Sequence, residues 1–111
     1  MALSDFYRGE TKKFYGVITY NGETPDITSD RVSFVMKNSL SDSDAEAVIY
    51  KEADTSAGDG RYDVTLSKDD TNIAAGTYYY ELTWKRANGE EYVLEQGRVK
   101  VKERVEDVPG S

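Results

Sequence analysis

Apolar and polar residues alternate in short runs along most of the chain, and no long segment follows the 3.6-residue period of a helix. "KKFYGVITY" predicts a strand over Lys12–Tyr20, followed by the turn-prone "NGETPD". "RVSFVMKN" (Arg31–Asn38) puts Val32, Phe34 and Met36 on one face. "AVIYKE" (Ala47–Glu52) reads as a short strand, and "RYDVTLS" (Arg61–Ser67) aligns Tyr62, Val64 and Leu66. "TYYYELTWKR" (Thr77–Arg86), "EEYVLEQG" (Glu90–Gly97) and "RVKVKER" (Arg98–Arg104) complete the set. Polar loops join these strands. In the loop "GETPDITSD", Pro25 enforces an extended turn and Ile27 is expected to plug the core edge. About seven short strands at near-even spacing predict an all-β, antiparallel sandwich or barrel. The expected layout is one domain over residues 1–104 and a flexible tail over 105–111, "VEDVPGS".

The Asn88-Gly89 turn fixes the pairing around "AGTYYYELTW" (Ala75–Trp84). A two-residue loop pairs Ala87 with Glu90 and mixes core with surface positions. A three-residue loop, Ala87-Asn88-Gly89, pairs Arg86 with Glu90 instead. Trp84 then opposes Tyr92, Leu82 opposes Leu94 and Lys85 opposes Glu91, so every pair agrees with its face. This choice implies a type I turn with Gly89 in the left-handed position of a G1 bulge. The apolar parity then flips, from Tyr92 and Leu94 to Val99 and Val101, which predicts a second bulge at Gly97. Tyr78, Tyr80, Leu82 and Trp84 fall on the buried face, whereas Tyr79, Glu81, Thr83 and Lys85 fall on the other. Arg98, Lys100, Lys102 and Arg104 point outward as a basic stripe.

Composition narrows the function more than the fold. The 111 residues suit one core, and 12% aromatic content is high for a disordered chain. A formal charge of −7 argues against nucleic acid and against an anionic membrane as partners. "MALSDFYRGE" lacks the basic-then-apolar pattern of a signal peptide, so the chain is expected to be made and kept in a cytoplasm unless it leaves by lysis. The chain has no Cys and no His, which removes disulfides, Cys/His zinc sites and Ser-His-Asp or Cys-His catalysis. No enzyme activity, cofactor or metal is expected. Paired carboxylates alone do not mark a glycosidase without a cleft. The alternating acids Asp42, Asp44 and Glu46 lack the glycine and distal glutamate of an EF-hand loop and read as a solvated loop, as do Asp54, Asp59, Asp69 and Asp70.

"YRGET" (Tyr7–Thr11), "VSFVMKNSLSDSDA" (Val32–Ala45), "GRYDVTLSKDDT" (Gly60–Thr71), "AAGTYYYEL" (Ala74–Leu82) and "ANGEEYVLEQGRVKV" (Ala87–Val101) occur in a familiar order. From about Tyr7 to Arg104 the chain resembles the small immunoglobulin-like domain proteins of tailed bacteriophages and prophages, including the N-terminal domain of phage baseplate upper proteins. The resemblance implies an immunoglobulin-like antiparallel β-sandwich and a non-catalytic structural role in the virion, in the tail, baseplate, neck or head surface. It implies other virion proteins as partners, and a homo-oligomer within an assembly is compatible with it. It carries over no active site. "AAGTYYYEL" is also similar to the tyrosine corner of such domains, with Tyr78 as the hydroxyl donor.

The candidate interface residues are Tyr79, Arg98, Lys100, Lys102 and Arg104. Tyr79 reads either as an exposed ring for a sugar or a neighbouring subunit, or as a solvated partner of Arg98. The basic stripe reads either as a docking surface for an acidic neighbour or as an edge strand guarded by charge. A carbohydrate-binding adhesion module for host-surface attachment is the alternative function, and it requires exposed aromatics clustered in a groove.

Overall fold

A computed structural model describes residues 3–43 and 46–105. The fold is all-β, with no α-helix among the described residues. Its strands are β1 (Phe6–Tyr7), β2 (Lys12–Val17), β3 (Arg31–Lys37), β4 (Ile49–Glu52), β5 (Arg61–Leu66), β6 (Gly76–Lys85) and β7 (Glu91–Lys102). A five-stranded sheet runs in the order β1-β7-β6-β3-β4, and β2 and β5 form a separate two-stranded sheet.

Two strand expectations change. The segments Glu90–Gly97 and Arg98–Arg104 form one continuous strand, because Gly97 stays in the ladder opposite Tyr80. In addition, β1 pairs with β7 in parallel, Phe6 with Val101 and Tyr7 with Lys102, so the large sheet is mixed rather than antiparallel. Two residues are too short to show a period, which is why β1 leaves no trace in the hydrophobic pattern. Of the tail expected over 105–111, only Val105 is described and it is fully exposed; residues 106–111 lie outside the described residues.

The inward faces of both sheets share one core. Phe14 of β2 meets Phe34 of β3 edge-on, with ring centroids 5.4 Å apart. From β6, Tyr78, Tyr80, Leu82 and Trp84 all point in, as the alternation required. Ile27 is fully buried, as its place in the loop suggested. Trp84 packs against Tyr92 at 5.4 Å and against Tyr20 at 5.6 Å, closing one end of the core with rings. The Trp84 indole N–H donates to Asp30 at 2.9 Å, and the other Asp30 oxygen accepts from the Ala87 amide at 2.8 Å. One carboxylate thus satisfies a buried ring and anchors the β6–β7 turn.

The hairpin register is as expected near the turn and differs beyond it. Trp84 pairs with Tyr92 and Lys85 with Glu91, the Arg86 amide donates to the Glu90 carbonyl, and Gly89 has φ 94°. The ladder then shifts between Leu82 and Thr83: Thr83 faces Val93 and Leu82 faces Glu95, leaving Leu94 as the extra residue. The parity flip is real, but the bulge lies at Leu94, not at Gly97. Gly97 serves a different need. The Tyr80 ring lies across it, and a Cβ there would sit only 3.2 Å from ring atoms. The shift also turns Glu95 inward, where it accepts from the Tyr80 hydroxyl at 2.7 Å and from the Leu3 amide at 3.2 Å.

Candidate interaction face

The outer face of the five-stranded sheet is built by the same alternation that builds the core. Residues skipped by the inward set of β6 become its outward set: Thr77, Tyr79, Glu81, Thr83 and Lys85. Register places Lys37, Tyr79 and Arg98 in one row across β3, β6 and β7, and Thr77 beside Lys100 in the next. Tyr79 therefore does lie beside Arg98. It is half-buried, flanked by a cation on either strand.

Arg98 and Lys100 are exposed and make no hydrogen bond or ion pair through their side chains among the described residues. Lys102 places its ammonium 5.4 Å from the Tyr7 ring centroid, a cation–π contact across the β1–β7 pair. Arg104 lies beyond the end of β7 and is half-buried, so the stripe on the strand itself consists of Arg98, Lys100 and Lys102. The guarded-edge reading is confined to the stretch of β7 before Lys100, where β1 does not pair with it. Beyond that, β1 covers the strand at Val101 and Lys102, and the Lys100 amide donates to the Asp5 carboxylate at 2.9 Å. Lys102 thus stands on a covered stretch of β7, whereas Arg98 stands on the sheet face beside an edge that β1 does not reach.

Beside them lies a depression of about 180 Å³, walled by Val35, Lys37, Tyr79, Glu81, Thr83 and Lys85. It is smaller than the roughly 300–1,000 Å³ usual for a small-molecule site. The exposed rings do not gather round it. Tyr7 and Tyr50 stand on strands at opposite edges of the sheet, and Tyr15 lies on β2 of the other sheet under the Arg61 guanidinium, 4.4 Å from its centroid.

The loop acids are turned toward their own backbones. Asp42 accepts from the Ser39 amide at 3.1 Å, and Glu46 from the Ser43 amide and hydroxyl at 3.1 and 3.0 Å. Asp44 lies outside the described residues. Asp54 accepts from the Ser56 amide at 2.9 Å and Asp26 from the Thr28 amide and hydroxyl at 3.0 and 2.8 Å. These bonds hold the carboxyls of Asp26, Asp54 and Glu46 below their ordinary values, so they stay ionised. Among the described residues no group of three or more potential metal ligands comes together.

Several structurally decisive residues escaped sequence reasoning. Arg8 donates to the Ile73 carbonyl at 3.0 Å, to Asn72 at 3.1 Å and to Glu103 at 2.9 Å. Thr71, fully buried, donates to the Glu10 carbonyl at 2.7 Å. Two of the segments that carried the family resemblance, "YRGET" and the end of "GRYDVTLSKDDT", are thereby tied together. The spacing of more than 60 residues between them hid this. Tyr78 does behave as expected: its hydroxyl donates to the Ala74 carbonyl at 2.5 Å, four residues upstream.

No protein-family model matches the chain, and a comparison with curated proteins finds no match.

Proposed function

We propose that the chain is an immunoglobulin-like β-sandwich serving as a non-catalytic structural component of a tailed bacteriophage or prophage particle, where it acts through protein–protein contacts. Three features support the fold reading. The β3-β6-β7 side with β4 beside it, faced by the β2-β5 pair, follows the strand grouping of variable-type immunoglobulin domains. The first strand runs parallel to the last. The Tyr78 hydroxyl bonds back to Ala74 in the manner of a tyrosine corner.

The observation that carries the functional reading is the outer face of the large sheet, where Arg98 and Lys100 stand unpaired beside a half-buried tyrosine. Arginine and tyrosine are enriched where protein interfaces carry their energy. The scatter of Tyr7, Tyr15 and Tyr50 over both sheets weighs against a stacking platform for sugars. Particles purified from the source bacterium and analysed by mass spectrometry test the proposal. Recovery of the chain in stoichiometric amounts is expected, and its consistent absence from intact particles would overturn the reading.

A further inference from the structure

Charge is distributed unevenly over this acidic molecule. Most arginines of the described chain are matched by an acid: Arg8 by Glu103, Arg31 by Glu52, Arg61 by Asp63 and Arg86 by Glu90. Arg98 and Lys100 are not, although they sit on an exposed and regular sheet face. Lys13, Lys68 and Lys85 likewise make no ion pair among the described residues, but Arg98 and Lys100 stand two residues apart on one strand, with Tyr79 and Tyr7 supplying apolar area nearby.

The complementary surface lies at one end of the same molecule. Register brings three connections together there: Val17 pairs with Arg61, Ser33 with Glu52 and Arg31 with Lys85. The loops 18–30, 53–60 and 86–90 therefore share that end. The first two contain Glu23, Asp26, Asp30, Asp54 and Asp59 and no lysine or arginine. Arg86, in the third, is occupied by Glu90 and by the Trp84 and Tyr20 rings, 5.0 and 5.2 Å from its guanidinium. Asp26 and Asp54 are exposed, ionised and fixed by their own turn bonds, so presenting them to a partner costs little ordering entropy.

We propose that the Arg98–Lys100 face of one copy docks onto the acidic loop end of a second copy, led by Asp26 and Asp54. The inference rests on the reading of the chain as an assembly component and names one of its partners. A face-to-face two-fold dimer would set like charges against each other. A face-to-end contact joins two different patches, and such a contact repeats along a row of copies instead of closing on itself. Its strength is electrostatic, so it is strong at low salt and lost once the screening length falls to about 3 Å near 1 M salt.

Sedimentation velocity on the full chain tests this with two double variants, Arg98→Glu with Lys100→Glu and Asp26→Lys with Asp54→Lys. The unmodified chain is expected to self-associate at low salt and to run as a monomer at high salt. Each double variant alone is expected to weaken association at least tenfold, since it opposes like charges. An equimolar mixture of the two is expected to regain it, because each reversed patch then meets a complementary one. A monomeric unmodified chain at low salt, association that ignores both variants, or a mixture that stays monomeric would each overturn the proposal. Melting temperatures of the variants check that they fold, and Gln at the same four positions pursues the same question with milder changes. A chain found in particles yet monomeric in this experiment loses the contact and keeps the proposed function.

Discussion

On the inner face of β6, Tyr78, Tyr80, Leu82 and Trp84 are each at most 4% exposed, and every polar atom they carry inside is met within the chain. Ala74 accepts from one tyrosine, Glu95 from the other, and Asp30 from the indole. On the outer face of the same strand, Tyr79 has a cation in register on either side, and the row ends in Arg98, which has no acid partner. The same ten residues thus build two surfaces of different kinds. One is closed, because buried donors left unmet would cost about 1–3 kcal/mol each. The other leaves the charges of Arg98 and Lys100 exposed, where water satisfies them. What separates the inner from the outer face here is completeness of pairing, not hydrophobicity alone, since both faces carry tyrosine.

The largest test of the closed face is Trp84→Ala. It removes a ring that touches Tyr20 and Tyr92, and a loss of about 3–5 kcal/mol is expected in urea unfolding. Asp30→Ala should cost about 1–3 kcal/mol, because it strands the indole N–H and frees the Ala87 amide together. Tyr78→Phe keeps the ring and deletes only the bond to Ala74, so a loss near 1 kcal/mol is expected by the same measurement.

Smaller still is the effect of Asp70, which links β4 to the β5–β6 loop. Its partial burial pushes its pKa up, but the Ser67 amide and Lys51 outweigh that and hold it below 3.8. A carboxyl lowered on folding stabilises the protein above its unfolded pKa, and this contribution fades as pH falls through the folded value. Asp70→Asn should therefore lower stability at neutral pH and flatten the dependence below about pH 4, read as melting temperature against pH.

Sequence reasoning reached the faces of β6 because ten residues alternate without interruption. It reached the pairing of Trp84 with Tyr92 because the turn around Gly89 dictates register over the first few residues. It misplaced the bulge because Leu94 is apolar and suits either assignment, while Gly97 carried the usual mark of an irregular strand. The reason for Gly97 is tertiary, a tyrosine ring lying across the neighbouring strand, and no local pattern announces it. The pairing of Tyr79 with Arg98 survived the error, since an extra residue at either position leaves the later register unchanged. Glu95 could not be placed inside without knowing that Tyr80 and Leu3 would meet it there. The basic stripe was legible as a set of residues; that its Lys102 end is covered depends on β1, which is too short to read.

The contrast between the two faces is tested most directly by neighbouring tyrosines of one strand. Urea unfolding of Tyr80→Ala and Tyr79→Ala compares a ring over Gly97 and bonded to Glu95 with a ring on the open face. The expected loss is about 3–5 kcal/mol for Tyr80→Ala and no more than about 1 kcal/mol for Tyr79→Ala. Equal losses, or a larger one at Tyr79, would contradict the account.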